Sequence, residues 1–306
     1  VRAVDLFAGW GGFTTGATAA GLEVVYAANH WPTAVAVHSS NHPGVIHECQ
    51  DLKQADWSRL PAYDVLLASP CCTGHSTAGV SDRARWGVSK KHDSDRATAW
   101  AVVDCADATE PRTIVVENVT QFREWRLYPV WRAALETLGY ALQEHVLVAS
   151  KHGHTPQRRE RLFIVATRGA KRRIAFEEHV EPAFGPSIDW EGGDWRSFAE
   201  ASPWAQQLLQ AARAKLGQRG IVQWVSRGGR VPVSEPIRTI TTKDQWCVIR
   251  EDGYRSLSTR EYARAMGFAD SYSWPDTLSR AHVVRGLGNA VPPGLARTVV
   301  AGALAA

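Results

Sequence analysis

Three kinds of side chain in this sequence, each at the edge of an apolar run, have types suited to acting on one substrate: a thiol, a carboxyl group and guanidinium groups. The run Asp64-Val65-Leu66-Leu67-Ala68-Ser69-Pro70-Cys71-Cys72-Thr73-Gly74-His75-Ser76 carries two adjacent cysteines out of an apolar segment into a polar turn. Glu117-Asn118-Val119 ends a second apolar segment, and Gln157-Arg158-Arg159-Glu160-Arg161 precedes a third. A cysteine reacts as its thiolate, which neighbouring cations favour. An acid and a cation facing the same substrate then stabilise the charge that nucleophilic attack creates. Few reactions need that trio.

The elements that must bring these groups together are legible in the first half of the chain. Ala3-Val4-Asp5-Leu6-Phe7, Val24-Val25-Tyr26-Ala27-Ala28, Val65-Leu66-Leu67-Ala68, Thr113-Ile114-Val115-Val116-Glu117 and Leu162-Phe163-Ile164-Val165-Ala166 are short, continuous apolar runs separated by helical stretches. That pattern predicts central strands of a mostly parallel sheet covered on both faces, an α/β doubly wound fold. In such sheets the ligand crevice lies outside the carboxyl ends of the strands, where Cys71-Cys72 and Glu117 fall. Residues 1–169 are expected to form this domain, 170–250 a small, irregular lobe, and 251–306 a segment that completes the first domain. The lobe carries the turn pairs Gly185-Pro186, Gly192-Gly193 and Gly228-Gly229 and one expected helix, Pro203 to Leu216. Ser258-Thr259-Arg260-Glu261 has the form of a capping box, and Gly294 to Ala305 has helical apolar spacing.

Composition narrows the function classes. With 306 residues and 44% apolar content the chain can bury one large core and a smaller one, and no stretch approaches the roughly 20 apolar residues of a membrane span. Val1-Arg2-Ala3-Val4-Asp5 runs directly into a strand, so no signal peptide is expected. Five cysteines, an odd number with no zinc-type spacing, predict a reduced, intracellular setting and no metal site. Net charge is only +4, yet residues 213 to 243 hold seven basic residues (Arg213, Lys215, Arg219, Arg227, Arg230, Arg238, Lys243) against Glu235 alone. Such a strip suits a polyphosphate backbone.

A second ligand is implied near the amino terminus. Asp5-Leu6-Phe7-Ala8-Gly9-Trp10-Gly11-Gly12-Phe13-Thr14 is a strand, a glycine turn and a helix start, whose glycines let a ligand approach the backbone. A dinucleotide fingerprint would require glycine where Thr14 stands. Asn29-His30 ends the second strand where a ribose hydroxyl is bound in nucleotide-type folds. Asp51 and Leu52, after the short strand Val45-Ile46-His47, suit the amino group and ring of adenine.

Taken together these segments resemble the cytosine-5 DNA methyltransferases that use S-adenosylmethionine. The resemblance rests on the glycine turn with Phe7, on Glu117-Asn118-Val119 and on Gln157-x-Arg159-x-Arg161. It extends through Arg255-x-x-x-Thr259-Arg260-Glu261 to Gly288-Asn289-Ala290-Val291, all in the family's order. It implies a Rossmann-like methyltransferase fold with a target-recognition lobe, a cytoplasmic location in a bacterial or phage-infected cell, and a monomer acting on double-stranded DNA. Cofactor contacts are implied for Phe7, Gly9, Trp10, Gly12, Asn29, His30, Asp51, Leu52, Asn289, Ala290 and Val291. The family carries an acid where this chain has Asn29, and Pro-Cys-Gln-x-Phe-Ser where this chain has Pro70-Cys71-Cys72-Thr73-Gly74-His75-Ser76. Aligning on the proline makes Cys71 the nucleophile. The family's spacing from Asp64 and to Ser76 instead makes it Cys72, the assignment adopted.

The resemblance also assigns roles. Carbon 5 of cytosine becomes nucleophilic only after a thiolate adds at carbon 6; Cys72 would supply the thiolate, Glu117 would donate to N3, Arg161 would reach O2 and Arg159 would support the site. Asn118 would hold the loop under Cys72, and His75 would replace an aromatic. The target base must leave the stack to be reached. Ser76, Arg227, Arg230 and Lys243 are the expected nucleic-acid contacts, with Trp190, Trp195, Trp204, Trp224 and Trp246 forming the lobe's small core. Three other readings are an RNA cytosine methyltransferase of the same fold, a catalytically silent DNA-binding module, and a nicotinamide dehydrogenase.

Overall fold

A computed structural model of the protein describes residues 1–71, 96–169, 172–224 and 229–306. The apolar runs form β1 (Arg2–Leu6), β2 (Glu23–Asn29), β3 (Ile46–Cys49), β4 (Val65–Ala68) and β5 (Thr113–Asn118), followed by β6 (Tyr140–Val148), β7 (Gln157–Arg158) and β8 (Glu160–Arg168). Every residue of β4 and β5 is buried. A strand covered on both faces has no solvent side, so its sequence shows no polar alternation. Among the described residues the sheet has seven strands in the order β3-β2-β1-β4-β5-β8-β6. The first five are parallel, so their carboxyl ends share one edge.

Helices cover both faces. On one, α1 (Gly12–Ala19) packs on the C-terminal helices and beside α2 (Pro32–Asn41), whose His38 meets Thr14; on the other lie α3 (Trp100–Thr109) and α4 (Tyr128–Thr137). Leu6, Leu66, Ile114, Phe122 and Trp131 belong to one core cluster, and Phe13, Leu67, Val115, Phe163, Leu295 and Val299 to another. The chain continues through α5 (Ala149–His152), α6 (Pro203–Leu216), α7 (Thr259–Ala265), α8 (Arg280–Asn289) and α9 (Pro293–Leu304). The α1–α9 crossing is tight: a Cβ on Gly16 would lie 2.4 Å from the Pro293 carbonyl oxygen. The C-terminal segment thereby closes the sheet domain. Among the described residues no helix is long and apolar enough to cross a membrane.

Two strand expectations need correction. β8 runs antiparallel to β5, and β6, which the sequence did not reveal, pairs antiparallel with β8 at the sheet edge. β6 mixes Gln143, Glu144 and His145 into its apolar residues because only partial burial is required there.

The lobe is also more regular than its glycine-rich sequence suggests. β9 (Arg196–Ser197), β10 (Arg219–Gln223), β11 (Arg230–Val231), β13 (Trp246–Arg250) and β14 (Gly253–Ser256) form a sheet in the order β11-β10-β13-β14-β9. β12 (Ile237–Arg238) instead pairs with β7. β14 extends this sheet past residue 250. Helix α6 covers one face through Leu208, Leu209 and Ala212, against Val222, Cys247 and Ile249. It has the expected bounds: the Ser202 hydroxyl accepts from the Ala205 N–H, and Gly217 ends it with φ 78°. The other sheet face joins a core containing Trp246, Tyr262, Leu287 and Trp10, which seats the lobe on the C-terminal segment. The Ser258–Glu261 capping box forms as expected.

Candidate active site

The carboxyl-end edge of the sheet gathers the reactive residues because β5 and β8 pair in a fixed register. Glu117 lies opposite Phe163, and Asn118 opposite Leu162. Arg161, one pair further along, is therefore a diagonal same-face neighbour of Glu117, a separation a long side chain spans. The Arg161 Nε lies 2.9 Å from Glu117 Oε1, with both side chains about nine-tenths buried. Burial pushes the Glu117 carboxyl above its ordinary value, while the Arg161 and Arg159 charges pull it back. A carboxyl group biased toward its proton beside a guanidinium is a donor pair for a heterocycle's N and O atoms.

Arg159 does different work. Its guanidinium is buried and donates to the carbonyls of Ile240 at 2.8 Å, Gly288 at 2.9 Å and Ala290 at 3.4 Å. It thus ties the β7–β8 junction to the segment between β12 and β13 in the lobe and to the end of α8. Arg159→Ala would leave three carbonyls without their donor, and the expected cost is about 3–5 kcal/mol. Urea unfolding read by Trp fluorescence checks this, with the midpoint falling accordingly.

Next along the edge, β4 delivers Pro70 and Cys71. Asn118 Nδ2 donates to the Pro70 carbonyl at 3.1 Å, and the Cys71 N–H donates to Thr98 Oγ1 at 3.1 Å. The backbone is thereby fixed immediately before residue 72. Cys72, Ser76, His75 and Arg227 lie outside the described residues.

At β1 the glycine turn bends sharply. Phe7, Gly9 and Gly11 have φ of 60°, 55° and 73°, the left-handed region. A Cβ on Gly9 would meet nothing nearer than the Phe7 carbonyl oxygen at 3.8 Å, whereas one on Gly12 would fall 1.9 Å from the Val291 carbonyl oxygen. The turn is therefore packed beneath, against the Asn289-Ala290-Val291 segment, and open at Gly9. The sheet order puts the ends of β2 and β3 alongside, with Asn29 half-buried and His30 and Asp51 exposed. The open glycine turn is thus flanked by the polar side chains of Asn29, His30 and Asp51.

A family model of the C-5 cytosine-specific DNA methylases matches residues 1–185 and 191–304. The chain belongs to this family. Among relatives, the type II methyltransferase M.HgiDI of Herpetosiphon aurantiacus is 31% identical over 206 residues, 62% of either chain. The type II methyltransferase M.Bsp6I of Bacillus sp. (strain RFL6) is 27% identical over 95% of this chain and 94% of its own. A mutant DNMT2 of Spodoptera frugiperda, 17% identical, shares the fold with a TM-score of 0.70 over 99% of each chain.

Several residues of this methylase sit differently from their sequence-based assignments. The Trp10 side chain is 1% exposed and belongs to the core beneath the turn, and its carbonyl accepts from the Tyr272 hydroxyl, so of its polar groups only the backbone N–H is offered to a ligand. The Asn29 Oδ1 accepts from the Trp31 N–H at 2.9 Å, so its oxygen is committed to a local turn. Asp51 Oδ1 likewise caps the following 3-10 turn by accepting from Lys53 N–H at 3.1 Å. In the lobe, Arg230 is half-buried on β11 and Lys243 exposed, while Arg219 stacks over Trp190. Trp246 is buried and Trp190, Trp195 and Trp224 pack at the cores, but Trp204 is 50% exposed. The sequence reading missed the brace of Thr98 on Cys71 and a buried network of Asp5, Thr14 and three histidines. His38, His42 and His47 carry a faint signal, His38 on α2 and His42 at its C-cap being four apart.

Proposed function

We propose that this protein transfers the methyl group of S-adenosylmethionine to carbon 5 of cytosine in double-stranded DNA, through a covalent adduct of Cys72 with a flipped base. The observation that carries this reading is the buried Glu117–Arg161 pair, at the edge where β4 brings the chain to residue 72. When bound, the cofactor supplies an electrophilic methyl group. The Cys72 thiolate adds to carbon 6, and the electron pair displaced toward N3 and O2 is met by the Glu117 proton and the Arg161 guanidinium. Carbon 5 takes the methyl group as the S–methyl bond breaks to leave a neutral thioether; the carbon 5 proton passes to water, the Cys72–carbon 6 bond breaks to restore aromaticity and the thiolate, and the N3 proton returns to Glu117. Each stabilising group acts where charge develops, which is what lowers the barrier.

The cofactor assignment rests on Phe7, Gly9 and Gly12 in the turn, with Trp10 contributing backbone. Asn29 and His30 stand at the ribose, Asp51 and Leu52 at the adenine, and Asn289, Ala290 and Val291 close the site. In the lobe, Arg230 and Lys243, with Arg227 and with Ser76 on the catalytic side, hold the DNA while the base is out of the stack. The proposed enzyme acts as a monomer, in the cytoplasm of a bacterial or phage-infected cell. Expression in cells lacking cytosine methylation, followed by bisulfite sequencing of their DNA, tests the reading. Protected cytosines in one short recurring sequence are expected; fully converted DNA, or methyl groups found in tRNA alone, overturns it.

A further inference from the structure

Beneath the cofactor turn lies a line of buried polar groups that the reaction above does not use. Thr14 Oγ1 donates to Asp5 Oδ2 at 2.7 Å and lies 3.0 Å from His38 Nε2, while His38 Nδ1 lies 2.7 Å from His47 Nε2. Asp5, Thr14 and His38 are each at most 1% exposed, and His47 reaches the partly exposed edge strand β3. The groups facing this line come from every element around it. Thr15 Oγ1 meets His42 Nε2 at 3.2 Å, the His42 ring packs on His38 at 4.7 Å, and Tyr272, after α7, lies 6.0 Å from His42.

The connectivity fixes direction. A hydroxyl has one hydrogen, so Thr14, having donated to Asp5, must accept from His38 Nε2–H. His38 Nδ1 then carries no hydrogen and accepts from His47. A proton on Asp5 allows the reverse order, with Asp5 donating to Thr14, Thr14 to His38 and His38 to His47. The line thus has two states that differ by a single proton at its buried end. Asp5 Oδ1 is buried with no hydrogen-bond partner, so the ionised state holds an uncompensated charge. The same groups press on the turn: a Cβ on Gly11 would lie 2.9 Å from His42 Nε2 and 3.0 Å from His38 Cδ2.

We propose that Asp5, Thr14, His38 and His47 form a positioning network for the cofactor turn, and that binding of the sulfonium cofactor expels the Asp5 proton along the line to solvent. The proposal rests on the cofactor assigned above. A cation bound over the turn favours the carboxylate beneath it, and by linkage ionisation of Asp5 favours the cation equally. The proton leaves the Asp5 carboxyl and is released by His47, so the bound state carries one positive charge from the sulfonium and one negative charge on Asp5. The groups are poised for this near neutrality. Burial pushes Asp5 up to about 7, while burial and neighbouring imidazoles pull His38 and His42 down to about 3 and 4, and burial lowers His47. The imidazoles therefore stay neutral and conduct rather than store the proton.

The test is calorimetric titration of the full chain at pH 7 in buffers of different ionisation enthalpy. The two probes are S-adenosylmethionine and S-adenosylhomocysteine, whose sulfur is uncharged. The expected result is net proton release on binding S-adenosylmethionine, and clearly less for S-adenosylhomocysteine. Asp5→Asn abolishes the difference between the two ligands. Thr14→Val, which removes a hydrogen bond favouring the carboxylate, moves the pH of maximal release upward and serves should Asp5→Asn not fold. Equal proton release for both ligands, or release unchanged in Asp5→Asn, overturns the proposal while leaving the methyltransferase reading intact. Failure of S-adenosylmethionine to bind overturns both.

Discussion

Cys72→Ser abolishes methyl transfer, lowering kcat on the order of ten-thousand-fold or more, whereas Cys71→Ser retains activity within about tenfold of the parent. The adjacent thiols are chemically alike, so position decides between them. The Cys71 backbone is held by Thr98, and the preceding Pro70 carbonyl by Asn118; these contacts anchor the chain just after β4, at residues 70 and 71. Residue 72 is the next along the chain. Serine lacks the nucleophilicity of a thiolate, so the loss appears in kcat while DNA binding persists. Single-turnover transfer of labelled methyl groups to duplex DNA, with gel-shift affinity measured alongside, checks both variants. Loss confined to Cys71→Ser would move the nucleophile by one residue.

The second large effect belongs to the carboxyl–guanidinium pair. Glu117→Gln keeps a donor of similar shape but removes the titrating proton, and kcat falls by about 100-fold to 10,000-fold. The sign of the pH dependence follows from the raised Glu117 value. An acid is active while protonated, so the parent's kcat falls as pH rises through that shifted value, and the alkaline limb contributed by Glu117 is absent in Glu117→Gln. Arg161→Ala acts through the same pair from the other side: it removes the cation at O2 and leaves the buried Glu117 carboxyl without its 2.9 Å partner. With the Arg161 cation gone, burial is opposed by the Arg159 charge but no longer by Arg161, and the Glu117 value moves further up, so the limb shifts to higher pH while the rate drops. A pH–kcat series on the three proteins reads both effects.

These expectations show which parts of the molecule are written locally. β4 and β5 are legible because strands covered on both faces must be apolar throughout. Helix α6 is legible because Ser202, Pro203 and Gly217 mark its ends. β6 is not, since an edge strand tolerates Gln143, Glu144 and His145. The lobe's strands β9 and β11 are two residues each, and they exist only through pairing with distant segments, which no local pattern announces. The site divides in the same way. Glu117 and Arg161 stand out individually at strand ends, but their contact depends on an antiparallel register 44 positions apart in sequence. Trp10 and Asn29 look available in the sequence because nothing local shows that one is buried in the core and the other bonded to Trp31. The histidine network is least legible, because it is assembled from β1, α1, α2 and β3 at once.

The most direct measurement of covalent catalysis uses duplex DNA carrying 5-fluorocytosine at the target position. Fluorine at carbon 5 cannot depart as a proton does, so the cycle stops after methyl transfer with the sulfur still attached to carbon 6. The enzyme incubated with this DNA and S-adenosylmethionine is expected to give a denaturation-resistant complex whose modified peptide maps to Cys72. No such complex in a sequence the enzyme methylates, or an adduct mapped to another residue, would contradict the account.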